Sequence, residues 1–287
     1  MKLWVGLAIA ACVGASGCGN GAGAVVAQDV APVASQPTSS SSPVSPYNGP
    51  LHIAITRPDD PDVAVRAGAA AAALECSAKP HLGGPGETHE AAANPQAALQ
   101  KFLSTSPYSV PRSGYLVERE EPQRVLFSHD VDGRTKVAVI VSDVVRGQGF
   151  EPGWSVESLA LCDPAELSAA ASDNLGIDVW TDRKGERVAT TVLSSRRGAA
   201  HCEWQSATFL YLHDEQFVAD PQGVLSGSSF KATYAARTAL PPDAKDTGYT
   251  RAVSALWVAA DRSAVYLVAA DGSAQRWPAA REKIGCA

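Results

Sequence analysis

The sequence predicts an α+β fold: short helices packed on antiparallel sheets, in two halves at 48–162 and 163–287, preceded by a signal peptide and a disordered tether. Three observations predict it. The segment "ANPQAALQKFLST" has helical periodicity behind a cap, the segments after it alternate with the period of two that marks half-buried strands, and "DVDG", "ADRS" and "ADGS" supply turns for antiparallel meanders.

At the start of the chain, Met1-Lys2 is positive, "LWVGLAIAACV" is apolar, and "GASG" brings small residues up to Cys18, so that 1–17 has the layout of an export signal. The apolar run is too short for a permanent membrane span. A plain signal-peptidase site has no use for a thiol after the cut. Ala15-Ser16-Gly17-Cys18 resembles the bacterial lipobox, departing from it at Ala15, where Leu is usual. Ile9-Ala10-Ala11-Cys12 fits the same pattern, but cleavage there leaves a very short apolar core, so Cys18 is preferred. The resemblance implies a diacylglyceryl group on the Cys18 sulfur, which then becomes the N-terminus. At about 0.8 kcal/mol per buried methylene, two long chains of the palmitate kind hold with roughly 20 kcal/mol. The competing reading is a secreted protein in which Cys18 is incidental.

Residues 18–47 are mostly Gly, Ala, Ser, Pro, Thr and Val with hardly any charge and no large apolar residue before Tyr47, and cannot bury enough surface to offset their ordering entropy. They read as a tether with a root-mean-square reach on the order of 30 Å. The composition also permits O-glycosylation. From Tyr47 onward Trp, Tyr and Leu are spread throughout, and the remaining length can bury a substantial core. No second long apolar segment follows, so the mature chain is not expected to span a bilayer. A net charge of -6 without basic clusters argues against nucleic acid and against electrostatic binding to anionic headgroups.

"PDVAVRAGAAAAALECSAK" is ambiguous: its alanines favour helix, yet its apolar residues fall on all faces, which requires burial or irregularity. In the helix that follows, Asn94 caps, Pro95 suits the first position, and Ala98, Leu99, Phe102 and Leu103 form the apolar stripe. Strands are expected at 114–119, 124–129 and 135–142, with "DVDG" as a hairpin turn, and at 153–161 with Trp154, Val156, Ser158 and Ala160 on one face. In "CDPAEL", Asp163, Pro164 and Glu166 form a capping-box pattern that starts a short helix to about Ala171. Strands then follow in "GIDVW", "VATTVL", "SATFLYL", "LWVAA", "AVYLVA" and "AQRW", the last three as a closing meander.

With Cys18 set aside, Cys76, Cys162, Cys202 and Cys286 remain, an even number suited to an oxidising compartment. Three pairings can be drawn. Cys76 with Cys162 and Cys202 with Cys286 is preferred because each pair closes one half.

No catalytic residue, metal site or cofactor is assigned. His201-Cys202 invites a thiol-protease reading, but on a strand neighbours point to opposite faces, and a disulfide suits Cys202 better. His81, His89 and Glu90 in "HLGGPGETHE" match no zinc spacing and read as a mobile surface loop. Asp130 and Asp132 offer too few oxygens for calcium. Glu118, Glu120 and Glu121 adjoin Arg119 and read as a solvated strand end. Trp154, Trp180, Trp204, Trp257 and Trp277 can stack on sugar rings on an exposed face, but tryptophans in alternating strands are more often core.

"GWSVESLALCDPAE", "HCEWQSATFLYL", "DTGYTR" and the terminal "IGCA" resemble secreted proteins and lipoproteins of unknown function from actinobacteria. The resemblance implies localisation and no activity. Two function classes remain: a non-catalytic, lipid-anchored binding or interaction module outside the cytoplasmic membrane, which is favoured, and a cell-envelope hydrolase with dispersed residues, for which His81, His89, His129, His201 and His213 are the candidate bases. The expected partners are the membrane, through Cys18, and an unidentified envelope component.

Overall fold

The computed structural model describes residues 46–86, 91–105, 110–144 and 152–286. Cys18, the signal and the tether up to residue 45 lie outside them, as do His89 and Glu90. The first sheet is antiparallel, in the order β1 (Leu82–Pro85), β5 (Ser155–Leu161), β4 (Arg134–Ser142), β3 (Arg124–Val131), β2 (Tyr115–Glu121). Its central strand β4 is apolar on both sides, which explains the unbroken "VAVIV". Val137, Val139 and Val141 face α3 (Pro95–Thr105), which presents Ala98, Leu99, Phe102 and Leu103. Ala138 and Ile140 face the alanine-rich segment. Asn94 caps α3 as expected, its side-chain oxygen accepting from the Ala97 amide at 2.8 Å.

The ambiguous alanine run resolves into two short helices, α1 (Val63–Arg66) and α2 (Gly68–Ala72), with Ala67, Ala69, Ala70 and Ala73 buried against the sheet. Asp62 caps α1 through the Ala64 amide at 3.0 Å. The break falls at Gly68, whose φ of 53° suits glycine, and a Cβ there would stand 2.6 Å from the Ile53 carbonyl oxygen. In the β3–β4 hairpin, Asp132 and Gly133 have φ of 53° and 73°, the two positive values that a two-residue turn of this kind needs.

Three expectations for this part are corrected. The Gly-rich stretch read as a surface loop contributes the edge strand β1, with Gly83 paired to Ala160. A Cβ on Gly83 would stand 2.9 Å from the Leu159 carbonyl, so glycine permits this close approach. Strand β5 does not keep Trp154, Val156, Ser158 and Ala160 on one face. Its pairing jumps from Val141↔Val156 to Ile140↔Ser158, so one extra residue bulges and the parity flips, placing Leu159 and Leu161 with Val156 in one core and Ala160 in the other. The helix expected from Asp163 to Ala171 is interrupted. Pro164–Glu166 is a single 3₁₀ turn, Leu167 is extended, and a separate helix α4 (Ala169–Asn174) starts from a Ser168 cap.

Beyond α4 the chain forms two further antiparallel sheets. One runs β6 (Ile177–Val179), β7 (Leu193–Arg197), β8 (Thr208–Leu212), β9 (Glu215–Ala219). The other runs β10 (Ala235–Thr238), β14 (Ala274–Pro278), β13 (Ala264–Ala269), β12 (Ser254–Val258), β11 (Lys245–Arg251). Their facing residues share a core, with Trp180, Leu193, Leu210 and Phe217 meeting Leu256, Val265 and Trp277. The closing meander falls where expected. "VATTVL" does not form a strand except at Leu193: Val192 and Leu193 donate back to the Ala189 carbonyl at 2.9 and 3.1 Å, and the strand continues into "SSRR". The fold is therefore mostly antiparallel sheet with few, short helices, α+β in the coarse sense and richer in strand than the sequence conveys.

Candidate functional site

A cleft of about 360 Å³ lies where β7 ends, bounded by the β7–β8 connection and the C-terminal segment. Arg196 and Arg197 are the last residues of β7, Phe209 and Tyr211 stand on β8, and His201 and Trp204 come from the connection. Gly198 lets the chain turn tightly here. A Cβ on it would lie 2.6 Å from Trp204 Cβ and 2.9 Å from a Phe209 ring carbon. Trp204 is packed against Phe209 with ring centroids 5.9 Å apart, which fixes the aromatic wall.

The remaining wall is the C-terminal segment, held by main-chain and side-chain bonds. Ala280 donates to the Gln216 carbonyl at 2.8 Å, the Ile284 amide donates to the Gln216 side-chain oxygen at 2.7 Å, and the Gln216 amide nitrogen donates to the Ile284 carbonyl at 3.0 Å. A disulfide between Cys202 and Cys286, with Cα atoms 6.3 Å apart, then ties its end to the β7–β8 connection.

The electrostatics of the cleft run against those of the chain, whose formal charge is -6. No carboxylate lines it among the described residues. The Arg196 guanidinium lies 5.2 Å from the centre of the Tyr211 ring and donates to its hydroxyl at 3.3 Å. Gln216 donates to the same hydroxyl at 3.2 Å. With its acceptor positions engaged by two donors, the Tyr211 hydroxyl has its own proton left to give. Arg197 also borders a neighbouring cavity of about 460 Å³ that is lined by Asp173 and by Asp178, the latter bonded to Arg251 and Ser195.

A second polar cluster joins the halves. Lys136 on β4 is buried, and its Nζ donates to the Glu75 carbonyl at 2.6 Å and to Glu166 at 2.7 Å. Glu166 also accepts from the Ser77 and Ala78 amides at 2.7 and 3.1 Å. Burial alone raises the Glu166 pKa, but the bonds from Lys136, Ser77 and Ala78 together outweigh it and hold the carboxyl below the usual range. Buried Asp163 accepts from Ala165 at 2.8 Å, from the Thr190 amide at 3.0 Å and from the Thr190 hydroxyl at 2.8 Å. Arg187, its pKa lowered by burial against the attraction of Asp173 and Asp163, donates to the Pro164 carbonyl at 3.2 Å. Beside this cluster Cys76 and Cys162 form a disulfide with Cα atoms 5.3 Å apart. Both disulfides are consistent with the pairing preferred from the sequence.

The structure scatters the other candidates. His129 Nδ1 lies 3.0 Å from the Ser113 carbonyl, and its ring packs on Tyr115. His213 sits in the β8–β9 turn with φ of 53°. The His81 imidazole has its pKa lowered by desolvation, with Asp163 opposing and Arg196 reinforcing. The His201-Cys202 argument from strand geometry is corrected, because Ala200–Cys202 is a 3₁₀ turn and the strand begins at Thr208. His201 Nε2 instead lies 3.1 Å from the Cys286 sulfur. His201 with Cys202 and Cys286, and Glu166 with Cys76 and Cys162, have metal-ligand spacing, but in both the sulfurs are bonded to each other and supply no thiolate. Glu118 accepts from the Tyr47 amide at 2.7 Å rather than standing solvated. Of the tryptophans, Trp180 and Trp277 are core, while Trp204 reaches the cleft.

Arg196, Arg197, Tyr211 and Gln216 were not anticipated as site residues. The one available signal was an adjacent arginine pair at a strand end in an acidic chain. No helix among the described residues is long and apolar enough to cross a membrane. No known family model, curated protein or solved structure matches this chain.

Proposed function

We propose that this chain is a non-catalytic binding module, held on the extracytoplasmic face of the cell membrane by acyl chains on Cys18, with the cleft beside β7 and β8 as its recognition site. The observation that carries the reading is the make-up of that cleft. Its polar side chains are donors, its aromatic wall is rigid, and its histidine faces a disulfide sulfur rather than a hydroxyl or carboxylate that it would activate. The anchor rests on the sequence from Met1 to Cys18, and the module's partner is an envelope component rather than nucleic acid, in keeping with the acidic chain.

The test is site-specific photo-crosslinking in intact cells, with the crosslinker at Gln205 beside Trp204 or at exposed Val253 in the β11–β12 turn. Adducts specific to Gln205 are expected. Equal labelling from both positions, or hydrolysis of envelope glycan or peptide that is lost in His201→Ala, contradicts the reading.

A further inference from the structure

We propose that the cleft takes a carboxylate-bearing saccharide of the uronic-acid class, an assignment that rests on the cleft being the recognition site. Three features point to that chemistry. First, among the described residues the side chains that line it offer hydrogen-bond donors and no carboxylate. Arg196 is pre-oriented over Tyr211, the Tyr211 hydroxyl has a proton to spare, and Arg197 borders this cleft as well as the neighbouring cavity that Asp173 and Asp178 line. A ligand that complements this wall is rich in acceptors and carries negative charge, and guanidinium groups match a carboxylate in a fork.

Second, the charge is local. In a chain of net charge -6, two adjacent arginines bordering a cleft that no carboxylate lines among the described residues make a local positive spot that favours anions there. Both arginines are exposed and border a cleft that is open to solvent, so a ligand seated in it can reach them. Third, the opposite wall is aromatic. Half-buried Trp204 is fixed by Phe209, and an indole against a pyranose ring supplies the apolar half of sugar recognition while the hydroxyls face the polar half. The volume of about 360 Å³ is at the small end of ligand clefts and fits one or two sugar rings rather than a folded partner. A simple inorganic anion would use the arginines and leave the aromatic wall idle.

The experiment is calorimetric titration of the mature full-length protein in detergent with D-glucuronate, D-glucose and inorganic phosphate, with the Trp204 indole N–H resonance followed in parallel. D-glucuronate is expected to bind and to shift that resonance. D-glucose and inorganic phosphate should each bind at least about tenfold more weakly, since one lacks the charge and the other the ring. Raising salt from about 0.05 to about 0.5 M should weaken the glucuronate complex. Arg196→Gln with Arg197→Gln, both exposed and remote from the core, should lower its affinity about tenfold with an unchanged melting temperature. Equal binding of D-glucose, equal binding of phosphate, no binding of glucuronate, or an unaffected double variant overturns the ligand class. In each of those cases, adducts specific to Gln205 in cells leave the binding-module reading standing, whereas their absence takes both down.

Discussion

Replacing Asp163 by Ala removes the one carboxylate that fastens the turn before β7 to the end of β5. Its side chain is 1% exposed and serves three donors: the Ala165 amide at 2.8 Å, the Thr190 amide at 3.0 Å and the Thr190 hydroxyl at 2.8 Å. Thr190 is itself buried, so without the carboxylate its two donors lose their partner where water reaches poorly. At about 1–3 kcal/mol for each buried donor left unsatisfied, and about 1 kcal/mol for the lost cap at Ala165, the total is about 3–7 kcal/mol. Partial access of water to the new gap brings the expected loss to about 3–5 kcal/mol. Urea denaturation followed by tryptophan fluorescence measures it, provided the slope with denaturant is unchanged. Asp163→Asn keeps the bond to Ala165 but turns an amide donor toward Thr190, and should fall between wild type and Asp163→Ala. A loss below about 1 kcal/mol for Asp163→Ala would refute the reasoning, because it would mean that Thr190 finds equivalent partners without this carboxylate.

Lys136→Met should destabilise by about 3–5 kcal/mol because it leaves the Glu166 charge without its cation, and equilibrium denaturation checks it. Because the Glu166 pKa is lowered in the folded protein, its contribution is complete above the ordinary glutamate range and is lost as pH falls through the folded value. Wild type should therefore lose stability on acidification through that window, and Glu166→Gln should lose less, as a pH series of melting curves would show. Breaking the Cys76–Cys162 link by Cys76→Ala with Cys162→Ala frees a closure spanning 86 residues, for an expected loss of about 4–5 kcal/mol in the chain-entropy account, read from denaturant midpoints. Gly198→Ala forces a methyl group against Trp204 and Phe209, and should cost about 1–3 kcal/mol and change the near-ultraviolet circular dichroism of the cleft tryptophan.

Elements that announce themselves locally were legible. The α3 stripe, the Asp-Gly hairpin and the closing meander each carry their period and punctuation within a dozen residues, and they fall where those signals place them. Elements governed by distant partners were not. In the capping-box pattern at Asp163 and Glu166 only the first residue keeps its local role: Asp163 caps the turn through Ala165 while also serving Thr190, but Glu166 serves Lys136, Ser77 and Ala78. The bulge in β5 is invisible because a period of two carries no mark where one residue is skipped. Edge strand β1 hides in glycines that ordinarily mean a loop. The cleft is the clearest case. Its arginines and its aromatic wall share the β7–β8 hairpin, but its C-terminal flank is far away in sequence and is brought to them by the disulfide at Cys202 and Cys286 and the two-way clasp of Gln216 on Ile284.

The proposal of a membrane-held rather than a freely diffusing module rests on the lipobox-like sequence at Cys18, and mass spectrometry of the N-terminal peptide of the protein purified from its own cells tests it directly. The account predicts a peptide beginning at Cys18, heavier by a diacylglyceryl group, and its replacement by an unlipidated form in Cys18→Ala that no longer partitions into detergent. An N-terminal peptide that begins elsewhere, or that begins at Cys18 with a free thiol, would contradict it.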